Sequence, residues 1–94
     1  MKTEQIVNEL IEAAEQLGLE VRLERGNFRG GHCKVADDSL IILNKRHPSE
    51  IQLSVLAEIL YGKPIDHLYL KPAVRTALEK SWEANNVKPE LELD

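Results

Sequence analysis

Chemistry in this 94-residue chain is concentrated between positions 25 and 47. The stretch Arg25-Gly26-Asn27-Phe28-Arg29-Gly30-Gly31-His32-Cys33 brings two guanidiniums, an imidazole and the single thiol together, and Lys45-Arg46-His47 follows. A Cys–His nucleophilic pair is the first reaction to consider. Residues 32–36 alternate as a strand does, and strand neighbours face opposite ways, so His32 and Cys33 do not meet side chain to side chain. The alternation predicts Cys33 and Val35 inside, with His32 and Lys34 outside. Free cysteine is among the most buried residue types. The lone thiol therefore reads as structural, and a nucleophilic or redox role would need His47 or His67 to arrive from elsewhere.

Spacing gives a metal centre no support. His32, Cys33, His47, His67, Asp37, Asp38, Glu58 and Asp66 include no two histidines one helical turn apart and no C-x-x-C. No metal or other cofactor is expected. Asp37-Asp38 is read as a turn, where aspartate bonds local backbone. Anion capture suits residues 25–32 better: glycine-rich backbone can present N–H groups as a concave nest, and Arg25, Arg29 and His32 add charge. The stretch lacks the strand–loop–helix setting and Gly-Lys-Ser/Thr ending of a P-loop. A hairpin loop that needs glycine for its own turn explains the same residues. Phe28 either folds back on the core, the favoured reading, or marks a contact surface.

The elements that must position these groups follow from periodicity. Ile6, Val7, Leu10, Ile11, Ala14 and Leu17 share one face at helical spacing, predicting a helix over 3–17 with Thr3 as N-cap and Gly18 just past its end. Residues 19–25 alternate apolar and charged, a strand with one wet face. Residues 26–31 form a loop, 32–36 a second strand, and Asp37-Asp38-Ser39 a turn. Leu40-Ile41-Ile42-Leu43 is a strand covered on both faces or nearly so. A proline-started helix follows from Pro48, with Ile51, Val55, Leu56, Ile59 and Leu60 as its buried stripe and Gly62-Lys63-Pro64 as its stop. Residues 65–70 are irregular or a single turn. Lys71-Pro72 opens a third helix, whose Val74, Ala77, Leu78 and Trp82 share a face. The order α-β-β-β-α-α predicts an α+β fold: a small three-stranded antiparallel meander with three helices packed on it. Residues 1–84 make one domain, and 85–94 a frayed acidic C-terminal tail.

Composition narrows the function classes. The chain is 43% hydrophobic and 30% charged, which excludes a disordered or fibrous polymer. Acidic residues throughout the first helix exclude a signal peptide, and no apolar run approaches the ~18–20 residues of a membrane span. A cytoplasmic address follows as the expectation, with no membrane contact. The net charge of −4 argues against a nucleic-acid binder. That charge is uneven: residues 26–47 hold four basic against two acidic groups, a basic island in an acidic chain.

The residues Phe28 through Cys33 (Phe-x-Gly-Gly-x-Cys), Ile41 through Arg46 (Ile-Ile-Leu-Asn-Lys-Arg) and Pro48 resemble a pattern shared by small uncharacterised bacterial proteins, a likeness that implies no activity. In the order of their elements, residues 3–60 also resemble the N-terminal part of the ImmA/IrrE-type metallopeptidases. That family carries His-Glu-x-x-His on the following helix, with two zinc-binding histidines and a glutamate base. Here the helix reads Leu56-Ala57-Glu58-Ile59-Leu60, so the resemblance implies the architecture without the peptidase chemistry.

Two functions are expected from these residues. The first is a non-enzymatic protein-interaction module, binding a protein partner or its own copy through a sheet edge. The alternative is a small binder or enzyme acting on a phosphate or carboxylate through Arg25, Phe28, Arg29, His32, Lys45, Arg46 and His47. That alternative requires the glycine-rich loop and the end of the third strand to converge.

Overall fold

The most apolar strand takes the centre of the sheet. In a computed structural model that describes residues 1–35 and 38–84, with backbone alone for 32–35 and 38, the strands are β1 (Glu20–Glu24), β2 (Gly30–Val35) and β3 (Asp38–Asn44). Their spatial order is β1-β3-β2. β1 runs parallel to β3, pairing Val21 with Ile41 and Leu23 with Leu43, and β2 runs antiparallel to it, pairing Gly30 with Leu43 and Cys33 with Leu40. The fold is α+β as expected, but the sheet is mixed and the antiparallel meander is corrected. The reason is hydrophobicity. A central strand is hydrogen-bonded on both flanks and suits the run Leu40-Ile41-Ile42-Leu43, whereas charged β1 and glycine-bearing β2 tolerate an edge. Residues 25–29 are consequently no hairpin loop. They cross the end of β3, a span of about 10 Å given the strand spacing of about 4.8 Å.

Among the described residues three helices accompany the sheet: α1 (Thr3–Gln16), α2 (Ser49–Leu60) and α3 (Pro72–Ala84), with a single 3-10 turn at Ile65–His67. The N-cap of α1 is Lys2, in extended conformation, rather than Thr3, and its N–H donates to Gln5 Oε1 at 3.0 Å. At the other end Gly18, at φ +90°, lets the Gly18 N–H reach Glu15 O and the Leu19 N–H reach Ala14 O, both at 3.0 Å. That pair of bonds is the Schellman arrangement, and Leu19 enters the core immediately after it.

The core lies between the helices and one face of the sheet. Ile6, Val7, Leu10 and Ala14 of α1 meet Val55, Leu56, Ala57 and Leu60 of α2, Val74 and Leu78 of α3, and Ile41 and Leu43 of β3. Trp82 ties α3 down by donating from Nε1 to Ala57 O at 2.6 Å and stacking edge-on against Tyr61. The buried stripe of α2 departs from expectation at three places: Ile51 is exposed, Ile59 is only half-buried, and Ala57 is buried. β3 is covered on one face only, since Leu40 and Ile42 are half-buried. Asp38 and Ser39 belong to β3 rather than to a turn. Ala36, Asp37 and the tail expected over 85–94 lie outside the described residues.

Candidate functional site

Alternation gives the sheet two unlike faces. Ile41 and Leu43 face the helices. The opposite face carries Leu40 and Ile42 along β3 beside Glu20, Arg22 and Glu24 of β1, all three exposed. Glu20 Oε2 accepts from Arg22 Nε at 2.7 Å, and this hydrogen bond holds the guanidinium above its ordinary pKa. At the end of this face where β1 and β3 finish, Phe28, Gly31 and Ile42 floor a groove of about 540 Å³, walled by Glu24, Arg25 and Arg29. That volume is in the range of about 300–1,000 Å³ common to ligand clefts.

The groove exists because Asn44 holds the crossing loop. Asn44 is buried, and its Nδ2 donates to Gly26 O at 2.8 Å and Phe28 O at 2.7 Å. Its Oδ1 accepts from the Arg46 N–H at 3.0 Å, and its own carbonyl accepts from Gln52 Nε2 at 2.9 Å. One side chain thus satisfies both loop carbonyls and starts the turn into α2. The Lys45 N–H adds a bond to Glu24 O at 2.8 Å. Gly30 makes the second constraint. It sits at φ +97°, and a Cβ there would lie 2.5 Å from Ile42 O, so β2 approaches β3 at a distance only glycine permits.

Three of the seven anticipated residues, Arg25, Phe28 and Arg29, line the groove. Phe28 is half-buried against Gly26 of its own loop and is not part of the core, which corrects the favoured reading of that ring. Lys45, Arg46 and His47 stand at the same end of the sheet, so the loop and the end of β3 do converge, but these three do not line the groove. His47 Nδ1 is buried without a hydrogen-bond partner among the described residues. For His32 and Cys33 the backbone pairing is described and the side chains are not. It sets the His32 backbone opposite Ile41 and that of Cys33 opposite Leu40, and the inside-outside assignment expected for these two side chains lies outside what is described.

Sequence reasoning missed Asn44, Gln52, Ile42 and Glu58. Glu58, on α2, pairs with Arg29 at 3.3 Å and partly neutralises it at the groove's edge. No local signal announced the clamp, because the carbonyls that Asn44 satisfies, those of Gly26 and Phe28, lie 18 and 16 residues away in the chain. A second hollow of about 440 Å³ at the far end of the sheet is lined by Glu20, Ser39 and Lys63 among others, two charges of opposite sign without a convergent set. Among the described residues no three of His, Cys, Asp and Glu gather as a metal site would need, and no helix is long and apolar enough to cross a membrane. No family model, curated protein or solved structure matches the chain.

Proposed function

We propose that this chain is a non-enzymatic protein-interaction module whose binding surface is the uncovered sheet face, centred on the Phe28–Ile42 groove. The observation that carries this reading is the groove itself: an aromatic and an aliphatic floor, partly exposed, walled by two arginines and held in shape by Asn44. An aromatic residue and arginine at the centre of a concave patch are the side chains that dominate binding energy at protein interfaces. The partner is an extended segment with an apolar side chain for the floor and a neighbouring carboxylate for Arg25.

The face is a stronger candidate than the β1 edge. Symmetric antiparallel pairing of two copies over the whole strand, centred on Arg22, would set Arg22 against Arg22 and Glu20 against Glu24. Like charges directly opposite are destabilising, and charged edges are the usual means of preventing such pairing.

Selection of a displayed random-peptide library on the immobilised full chain tests the proposal. Enrichment of apolar sequences flanked by Asp or Glu, lost with Phe28→Ala and with Arg25→Glu, is the expected result. Equal enrichment on wild type and both variants would overturn it. The alternative, a phosphate or carboxylate ligand, rests on the same arginines, but Glu24 lines the groove and Glu58 engages Arg29. A rise in Tm with phosphate or small carboxylates, abolished by Arg25→Glu, would favour that reading, because a ligand preferring the native state raises Tm.

A further inference from the structure

Sorting the described cations by partner leaves a cluster at one end of the sheet. Arg22, Arg29, Lys71 and Arg75 each sit in an ion pair of 2.7–3.3 Å. Arg25, Lys45 and Arg46 are exposed, carry no ion pair among the described residues, and follow directly on the ends of β1 and β3. The Lys45 N–H bonds to Glu24 O at 2.8 Å, so Lys45 stands beside Arg25, one step past the last strand pair of Glu24 with Asn44. We propose that these three cations form a subsite for an acidic peptide tract, continuous with the groove. The partner segment lays its apolar side chain on Phe28 and Ile42, then runs over the turn with consecutive Asp or Glu against Arg25, Lys45 and Arg46. The inference rests on the groove being a docking surface and adds the charge pattern of what docks there.

Three observations carry it. The first is preorganisation. Asn44 Nδ2 holds the loop that bears Arg25, and Asn44 Oδ1 accepts from the Arg46 N–H at 3.0 Å. The backbones that carry the charges are therefore set before a partner arrives, which lowers the ordering cost of binding. The second is charge placement. Glu24 lines the groove and Glu58 engages Arg29 on its wall, so a run of carboxylates belongs past the groove. At the turn, Lys45 and Arg46 outnumber the one acid that closely follows them, Glu50 in the first turn of α2. The third is the kind of polyanion. Single-stranded nucleic acid is held by aromatic rings on which successive bases stack, whereas Phe28 is the one ring among the groove's described lining residues. A single ring beside an aliphatic floor suits one peptide side chain.

Amide spectra of the full chain titrated with octaglutamate at low salt test the subsite on charge alone. Saturable shifts at Arg25, Lys45 and Arg46 are expected, weakened by high salt. They should vanish with Lys45→Gln plus Arg46→Gln, whose spectrum is otherwise that of the wild type. In a second arm, a groove peptide selected on the chain is extended by a glutamate tract. The extension should tighten binding to wild type about tenfold, as the sum of several small exposed-pair increments, and the double variant should show no gain. A silent turn with octaglutamate, an extension without effect, or a gain that survives in the double variant would overturn the proposal. Larger turn shifts with a thymidine oligonucleotide of equal length than with octaglutamate would assign the cations to a nucleic-acid backbone and overturn it as well. If the selected peptide binds at the groove while the turn stays silent, this inference alone falls; if no selected peptide binds there, the docking surface falls with it.

Discussion

Replacing Asn44 by alanine removes the clamp and should destabilise the whole domain through the loop it holds. The side chain makes three hydrogen bonds, to Gly26 O, Phe28 O and the Arg46 N–H. Each is worth about 0.5–1.5 kcal/mol net, and a carbonyl left buried without a partner costs about 1–3 kcal/mol, so Asn44→Ala is expected to lose roughly 2–4 kcal/mol. A 94-residue domain has roughly 5–14 kcal/mol in total. In a domain this size the loss corresponds to a Tm lower by roughly 10–25 °C. Urea unfolding followed by Trp82 fluorescence gives the number directly, provided the m value is unchanged.

Asn44→Asp sharpens the same test. It keeps the size of the side chain and turns the donor into an acceptor facing two carbonyls. Repulsion raises the folded-state pKa of the introduced carboxyl above its unfolded value, so the folded state binds more protons, and the variant's deficit grows as pH rises through that window. On acidification the gap between wild type and Asn44→Asp should narrow, because the protonated carboxyl donates to one carbonyl again. A loss below about half a kcal/mol for Asn44→Ala, within the range of ordinary surface substitutions, would refute the clamp. A pH-independent gap for Asn44→Asp would do the same.

Four further outcomes follow from the packing. Gly30→Ala is expected to cost roughly 2–4 kcal/mol in denaturant melts, because the new Cβ collides with Ile42 O at a positive φ. Leu10→Ala and Leu56→Ala, at fully buried positions, should each cost about 2–5 kcal/mol in the same assay. Trp82→Phe removes the donor to Ala57 O and should cost about 1–3 kcal/mol, read by thermal melts in circular dichroism. Glu58→Gln breaks an exposed pair with Arg29 and should change stability by no more than about 1 kcal/mol; a larger loss would mean that pair holds the loop, not Asn44.

The helices and the identity of the strands were legible because each follows from local periodicity: the Ile6–Leu17 stripe and the Gly18 stop of α1 describe what is observed. Strand order was not legible. Short connections favour hairpins as a rule, and no local signal in residues 25–31 distinguishes a hairpin from a loop that crosses a neighbouring strand's end. The information was non-local, in the contrast between Leu40-Ile41-Ile42-Leu43 and the charged residues 20–24, which assigns the first to the centre. The same distinction explains the site. Arg25, Phe28 and Arg29 could be named from composition, whereas Asn44 acquires its role only once its strand lies beneath the loop. Ile51 shows the converse error, an apolar residue on the predicted stripe that the first turn of α2 leaves exposed.

Binding on the sheet face that the helices leave uncovered is the proposal that everything else serves. The most direct measurement is the amide chemical-shift map of the full chain titrated with a peptide selected on it. Saturable shifts are expected at Glu24 through Gly31 and at Leu40 through Asn44, absent with Phe28→Ala. Shifts centred instead on α1 and α3, with the loop and β3 silent, would contradict it.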